Sequence, residues 1–264
     1  MGSLWNYLGD LMMKLMELVH GFTGSWGLAI IALTLLVRLL LHPLTHKQMT
    51  SMQKMQKLQP RLKMLQEKYK DDKESLNREM MALYRENKVN PAAGCLPLLV
   101  QLPIFILLYR VLTNYDFSGV SFLGIQLDGS VLSTLAKAVN LTVAPDQQIG
   151  IMAVFNAIVQ NPAGLANVGV YLPNLLLLLG IAFLTWYQQQ LSASGNPQMA
   201  MMNWFMPLFL TFICLSLPGG VLLYWGVSSL LGVVQQVYMT RKTAAEMHQK
   251  PVLHKDKPVK NENE

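Results

Sequence analysis

The sequence predicts an all-α integral membrane protein: five transmembrane helices, a cytoplasmic helical hairpin and a polar groove. Three observations carry that expectation. Five stretches of the 264 residues are almost free of charge, at about 25–44, 92–112, 168–187, 200–217 and 219–238. Each approaches the roughly 20 residues that a helix needs to cross about 30 Å of hydrocarbon. Lys and Arg are concentrated in alternate connections, the pattern that orients spans in a bilayer. Finally, Arg38 lies inside the first block, and none of the five blocks holds an Asp or a Glu.

Residues 1–23 read as an amphipathic helix in the outer interface. Leu4, Leu8, Leu11, Leu15, Val19 and Phe22 fall on one side, and Asn6, Asp10, Lys14 and Glu17 on the other. The charges interrupt the apolar run that a signal peptide needs, so no cleavable signal is expected. The first span follows at 24–44.

Residues 45–91 form the cytoplasmic hairpin. Met52, Met55, Leu58, Leu62, Leu65 and Tyr69 recur at helical spacing, with a bend expected at Pro60. The charged run Lys70-Asp71-Asp72-Lys73-Glu74 makes the turn, and Leu76, Met80, Leu83 and Tyr84 form a second stripe. The methionines either hold the two arms together or face outward to receive apolar segments, since Met adapts to varied partners.

The second span is set at 92–114 and an extracytoplasmic segment at 115–167. Within that segment residues 148–159 are apolar but too short to cross a bilayer, and they read as an amphipathic helix on the outer face. The third span is 168–191, followed by a cytoplasmic loop at 192–199. The fourth span is 200–217, the fifth 218–239, and 240–264 is a basic cytoplasmic tail. Eleven Lys and Arg lie in 45–91 and six after Tyr238, against only Lys137 in 115–167 and Lys14 in the leader. The N-terminus is therefore expected outside and the C-terminus in the cytoplasm, in a bacterial cell membrane.

Arg38 is costly where it lies, about 3 kcal/mol at the centre of a span on insertion scales and less toward an end. No acidic residue occurs between Asp146 and Glu246. Arg38 must snorkel, bond to carbonyls and hydroxyls, or face water. Thr34 shares its face, Gln101 precedes Phe105 by one turn, Thr185 and Gln189 share a face, and Trp225, Ser229, Gly232 and Gln236 form a stripe. Each alone is a packing residue; together with Arg38 they outline a polar groove.

Cys95 and Cys214 lie in apolar blocks without metal-ligand spacing and read as small core residues. His42 and His46 are one turn apart with Pro43 between them and no further ligands evident, so neither a metal nor another cofactor is expected. The chain has no phosphate-binding Gly-Lys-Ser/Thr loop, no paired intramembrane Asp and no Gly-x-Ser-x-Gly nucleophile, which argues against an enzyme. The rival reading is a transporter or channel in which Arg38 binds an anionic solute.

Arg38 with His42-Pro43-Leu44-Thr45, residues 52–60, Glu79-Met80-Met81-Ala82-Leu83-Tyr84, Val89-Asn90-Pro91, 94–99 and Gln101-Leu102-Pro103-Ile104-Phe105 resemble, in order, the YidC family of membrane-protein insertases. So do 203–207, Pro218-Gly219-Gly220-Val221-Leu222-Leu223-Tyr224-Trp225 and Gln235-Gln236. The resemblance spans about 24–242 and is specific in combination. It implies a five-helix core whose groove opens to the cytoplasm and lipid, with Arg38 as its cation. Thr34, Phe105, Tyr224 and Trp225 would contact passing helices, and Gln101, Gln189 and Ser229 would line the same groove. The implied partners are nascent membrane proteins and the lipid bilayer, with the ribosome and Sec translocon as further candidates and no DNA. The chain resembles the shorter, Gram-positive-like form without a large periplasmic domain.

Overall fold

The computed structural model describes residues 2–90, 96–114, 117–141, 149–192 and 197–249. Helix α1 (Gly2–Thr23) packs along α2 (Trp26–Lys57) and α5 (Leu96–Asn114). The face it buries is centred on methionines and takes in only Leu15 and Val19 of the leucine stripe. Met12 and Met16 are buried, with Trp5, Met13, Leu15 and Val19 around them, whereas Leu4, Leu8, Leu11 and Phe22 are exposed. Lipid is as good a partner as protein for a leucine face, so close packing goes to the side chains that fill irregular gaps.

Ser25 caps α2, its hydroxyl accepting the Leu28 N–H. The helix runs 32 residues, about 48 Å at 1.5 Å per residue, and passes residue 44 without a break. The first span and the first arm of the hairpin are thus one helix. Pro43 lies within it and withholds the N–H that the Leu39 carbonyl would otherwise receive. The break comes at Leu58, leaving Pro60 in the first turn of α3 (Gln59–Lys68), where its missing N–H costs nothing.

Asp72 caps α4 (Lys73–Glu86), accepting from the N–H groups of Glu74 and Ser75 at 3.1 and 3.0 Å. The two arms close on Leu58, Leu62, Leu83 and Val89, with Met55, Leu65, Met80 and Tyr84 packed around them. Met64 and Met81 face outward. Methionines therefore lie on both sides of the hairpin, some packing its arms together and some facing outward. Gln56 donates to the Leu191 carbonyl at 2.8 Å and ties the hairpin to α8 (Val168–Ser192).

At the opposite end, β1 (Ser121–Phe122) and β2 (Ile125–Gln126) form a minimal antiparallel hairpin. Its turn residues Leu123 and Gly124 have φ of 52° and 82°, as tight hairpin turns require. Then come α6 (Val131–Ala138), α7 (Ile151–Gln160) and a 3-10 turn over Pro162–Ala166. Helix α7 realises most of the helix expected at 148–159, whereas two-residue strands are too short to leave a periodic signal. Asn174, fully buried on α8, accepts the Gln126 N–H and donates to the carbonyls of Gln126 and Gly129. The same loop receives the Gly219 and Gly220 N–H groups on Gly129 and Leu127 at 2.9 Å each. The sheet end of the molecule is thereby pinned to two long helices.

Helices α9 (Pro197–Cys214) and α10 (Gly219–Gln249) complete the fold. Among the described residues, α2, α8 and α10 contain stretches long and apolar enough to cross a membrane, while Gln101–Thr113 and Trp204–Cys214 are shorter apolar helices. Only 17% of the apolar stretch of α8 is buried within the protein, against 56% for α10. Helix α10 is thus the internal helix and α8 a lipid-facing one. Gly220, Gly226 and Gly232 let α10 approach its neighbours: a Cβ at Gly220 would stand 3.3 Å from Ile30, and one at Gly226 3.2 Å from Leu177. Helix α10 also continues through residues 240–249, so the tail begins as helix. Cys214 is buried, as a core residue should be. Cys95 with its neighbour Gly94, residues 193–196 of the loop and the tail beyond 249 lie outside the described residues.

Candidate functional site

Arg38 stands on the face of α2 that meets α10. Its Nε donates to the Ser228 hydroxyl at 2.9 Å, and its Nη2 donates to the Ser228 carbonyl oxygen. The guanidinium is half-buried, and its head lies against Gly232, where a Cβ would stand 3.3 Å from Nη2 and 3.1 Å from the Gln188 amide nitrogen. Glycine at this position is what makes room for both polar groups. Arg38 is thus solvated by a hydroxyl and a carbonyl, two of the substitutes for water open to a charge at this depth.

From Ser228 a polar line runs to α5. Tyr224, one turn before Ser228 on the same row of α10 and buried, accepts from the Gln101 side-chain amide at 2.8 Å. Toward the hairpin end, Gln235 donates to the Thr45 hydroxyl at 3.3 Å. The residues just before Tyr224 on α10, Val221 to Leu223, are apolar and buried. Polar groups on this face therefore begin at Tyr224 and continue toward the hairpin end, while the sheet end is closed by apolar packing and the Asn174 clamp.

Six of the expected groove residues meet in three pairs. Arg38 and Gly232 meet directly, and Gln101 and Tyr224 meet through a hydrogen bond. Phe105 packs edge-on against Trp225, with ring centroids 5.4 Å apart at 78°. Trp225 also flanks the cluster of Leu178, Ile181, Cys214 and Leu222. Thr34 is fully buried and its hydroxyl donates to the Ile30 carbonyl at 2.7 Å, within its own helix. Ser229 is buried, but the serine that holds Arg38 is its neighbour Ser228. Gln189 is half-buried beside Gln188, the glutamine that reaches Gly232.

Ser228 and Gln188 were not singled out by the sequence, and Thr45 and Gln235 entered only as parts of the family pattern. The signal for Ser228 was available: Tyr224, Ser228 and Gly232 are four apart and share one row of α10. A row started at Trp225 is rotated by one residue, about 100°, and selects Ser229 instead. His42 and His46 are exposed, with ring centroids 6.2 Å apart.

Residues 18–246 match the family described as 60Kd inner membrane protein. Over 240 residues the chain is 36% identical to the membrane protein insertase YidC of Francisella tularensis subsp. novicida (strain U112). Identity to the YidC of subsp. tularensis (strain WY96-3418) is the same. In both cases 90% of this chain aligns with 37% of the relative. Among solved structures it is similar to an active YidC insertase with its first transmembrane domain resolved, at a TM-score of 0.60 and 29% identity. That match covers 90% of this chain and 45% of the other. The chain thus spans less than half the length of the relatives it matches.

Proposed function

Because the chain belongs to the 60Kd inner membrane protein family, the YidC family, we propose that it is a membrane-protein insertase working through the Arg38 face of α2 and α10. It receives nascent membrane proteins and releases their helices into lipid, moving short N-terminal tails or loops across without nucleotide hydrolysis. The observation that supports this reading most is the placement of Arg38: a cation held by Ser228, with polar groups continuing toward the hairpin end and apolar packing toward the sheet end.

The work done is physical. At about 5 Å and an effective dielectric near 20, a substrate carboxylate and Arg38 attract by roughly 3 kcal/mol, enough to recruit a tail and weak enough to release it. The membrane potential adds roughly 2.3 kcal/mol per charge per 100 mV for an acidic tail moving outward. Burial of the substrate's apolar helix in lipid completes the step.

In this proposal the sheet end faces outward, the hairpin and C-terminus face the cytoplasm, and five helices cross the bilayer, α5 and α9 among them. Phe105 and Trp225 form the apolar wall against which a substrate helix slides, with Gln101 and Gln189 on its polar margin, and the buried Tyr224 and Ser229 join it as the helices open. Thr34 becomes accessible when α2 and α10 part. The exposed methionines Met64 and Met81 of the hairpin offer a first apolar contact to an incoming segment, and its basic residues face the ribosome, the Sec translocon or anionic lipid.

The test is reconstitution: liposomes with the purified chain, against empty liposomes, challenged with a single-span protein bearing an acidic tail. Protease-protected tails only in the proteoliposomes support the proposal. Absence of insertion together with flux of a small anion would establish the transporter reading in its place.

A further inference from the structure

We propose that α7 is an uncharged membrane anchor: on the reading above, in which α9 crosses the bilayer with its C-terminal end outward, α7 lies in the outer leaflet with one arc of its surface in the acyl chains. At about 100° per residue, α7 shows three arcs. Val154 is buried and, with Ile158 beside it, packs against Leu132 and Ala136 of α6. Ile151, Met152, Phe155 and Val159 fall together within about 100° on another side, and all four are exposed. Asn156 and Gln160 follow on the third side and are also exposed. Protein, hydrocarbon and water are the three surroundings of a helix at a membrane interface, and α7 offers one arc to each.

Depth and charge select acyl chains as the occupant. Helix α9 is 18 residues long, about 27 Å at 1.5 Å per residue, so its ends stand near the edges of roughly 30 Å of hydrocarbon. Its last turn exposes Phe212 and Ile213. Leu215, one residue past its end, packs in the same small core as Val154 and Ile158, and its carbonyl receives the Leu132 N–H at 3.2 Å. The pair α6 and α7 is thus fixed at the level where α9 leaves the hydrocarbon. No Asp, Glu, Lys or Arg occurs between Asp146 and Arg241, so α7 meets the interface with no charge to desolvate and none to hold a headgroup. Four side chains also expose less than the roughly 800 Å² per partner of a stable protein interface. Attachment by apolar area alone is indifferent to headgroup charge, unlike that of basic interfacial helices drawn to anionic lipid. The consequence is mechanical: α6, whose Val131 packs with Leu178 of α8, Cys214 of α9 and Leu222 of α10, is joined through α7 to the lipid as well as to the bundle.

The experiment uses the full chain in phosphatidylcholine nanodiscs, with Cys95 and Cys214 replaced by Ala and one nitroxide-labelled cysteine introduced at a time. Collisions of the label with oxygen, which concentrates in hydrocarbon, are compared with collisions with a polar nickel chelate. Labels at Met152→Cys and Phe155→Cys are expected to favour oxygen severalfold more than labels at Asn156→Cys and Gln160→Cys, and to keep that ratio when anionic phosphatidylglycerol is added. Phe212→Cys on α9 is the reference. If 152 and 155 meet the chelate while 212 meets oxygen, α7 lies in water and the proposal falls alone; if 212 meets the chelate too, the crossing of α9 falls with it. Low collision rates with both probes at 152 and 155 would assign the arc to a protein partner, a second copy included, and overturn the proposal. So would immersion that appears only with phosphatidylglycerol. The wild-type chain supplies a measurement without substitutions: phosphatidylcholine with a photoactivatable group on its acyl chain should leave adducts within 151–159 as well as within 209–213 of α9. Adducts on α9 and none on α7 overturn the proposal.

Discussion

Ser228 takes both hydrogen bonds of Arg38, one on its hydroxyl and one on its carbonyl oxygen, and so binds α2 to α10 at a single residue. Hydroxyl and carbonyl are neutral acceptors, so the positive charge is oriented without being neutralised. That is the arrangement a cation needs if it is to attract a passing carboxylate.

Ser228→Ala leaves the Arg38 Nε without its acceptor. A hydrogen bond to a charged group contributes about 1.5–3 kcal/mol, so thermal unfolding of the purified protein is expected at a lower temperature than for Ser229→Ala. At Gly232 the effect should grow with side-chain size. Gly232→Ala asks Arg38 and Gln188 to give by a few tenths of an ångström, whereas Gly232→Leu displaces the guanidinium and should reduce insertion as far as loss of Arg38 does.

Asn174→Ala removes three hydrogen bonds to the loop at 126–129. With the cavity left behind, a cost of about 2–4 kcal/mol is expected. Hydrogen exchange provides a local readout: the Gln126 amide should lose protection while the amides of α3 and α4 keep theirs. Equal loss in both regions would contradict a local clamp.

Gly27 lies directly under the Phe122 ring, where a Cβ would approach to 2.0 Å. Gly27→Ala should therefore push the β-hairpin off α2 and destabilise the protein by about 1–3 kcal/mol. Phe122→Ala, destabilising by itself, should cancel most of that added cost in the double variant. Additive effects would show that the two residues do not touch.

Asp72 tests the hairpin through pH. The Ser75 hydroxyl, then the Ser75 and Glu74 backbone N–H groups, hold its carboxyl below the usual carboxylate range. A depressed folded value means that the cap stabilises α4 above the unfolded pKa, about 3.9, and is lost as pH falls through the folded value. Amide shifts of Glu74 and Ser75 should be constant from pH 7 to 5 and move only below about 4. Asp72→Asn keeps a capping oxygen and should abolish that movement.

The long apolar helices and both arms of the hairpin were legible because each repeats its pattern over many residues. Arg38 was legible because a charge among leucines needs an explanation. The partner was not: Ser228 and Ser229 are adjacent small polar residues, and only the rotation of α10 decides between them. The buried face of α1 was hidden because leucine facing lipid and leucine facing protein look alike in a sequence. The β-hairpin and its Asn174 clamp were hidden for another reason, since they depend on contacts between residues 48 apart and on no periodicity at all.

The central claim is that Arg38 acts by its charge. The measurement that tests it most directly is insertion of an acidic-tailed single-span protein into liposomes bearing the wild-type chain, Arg38→Lys or Arg38→Ala. The account predicts insertion with the wild-type chain and Arg38→Lys and its loss with Arg38→Ala. Equal insertion by Arg38→Ala and the wild-type chain would contradict it and reduce Arg38 to a structural link between α2 and α10.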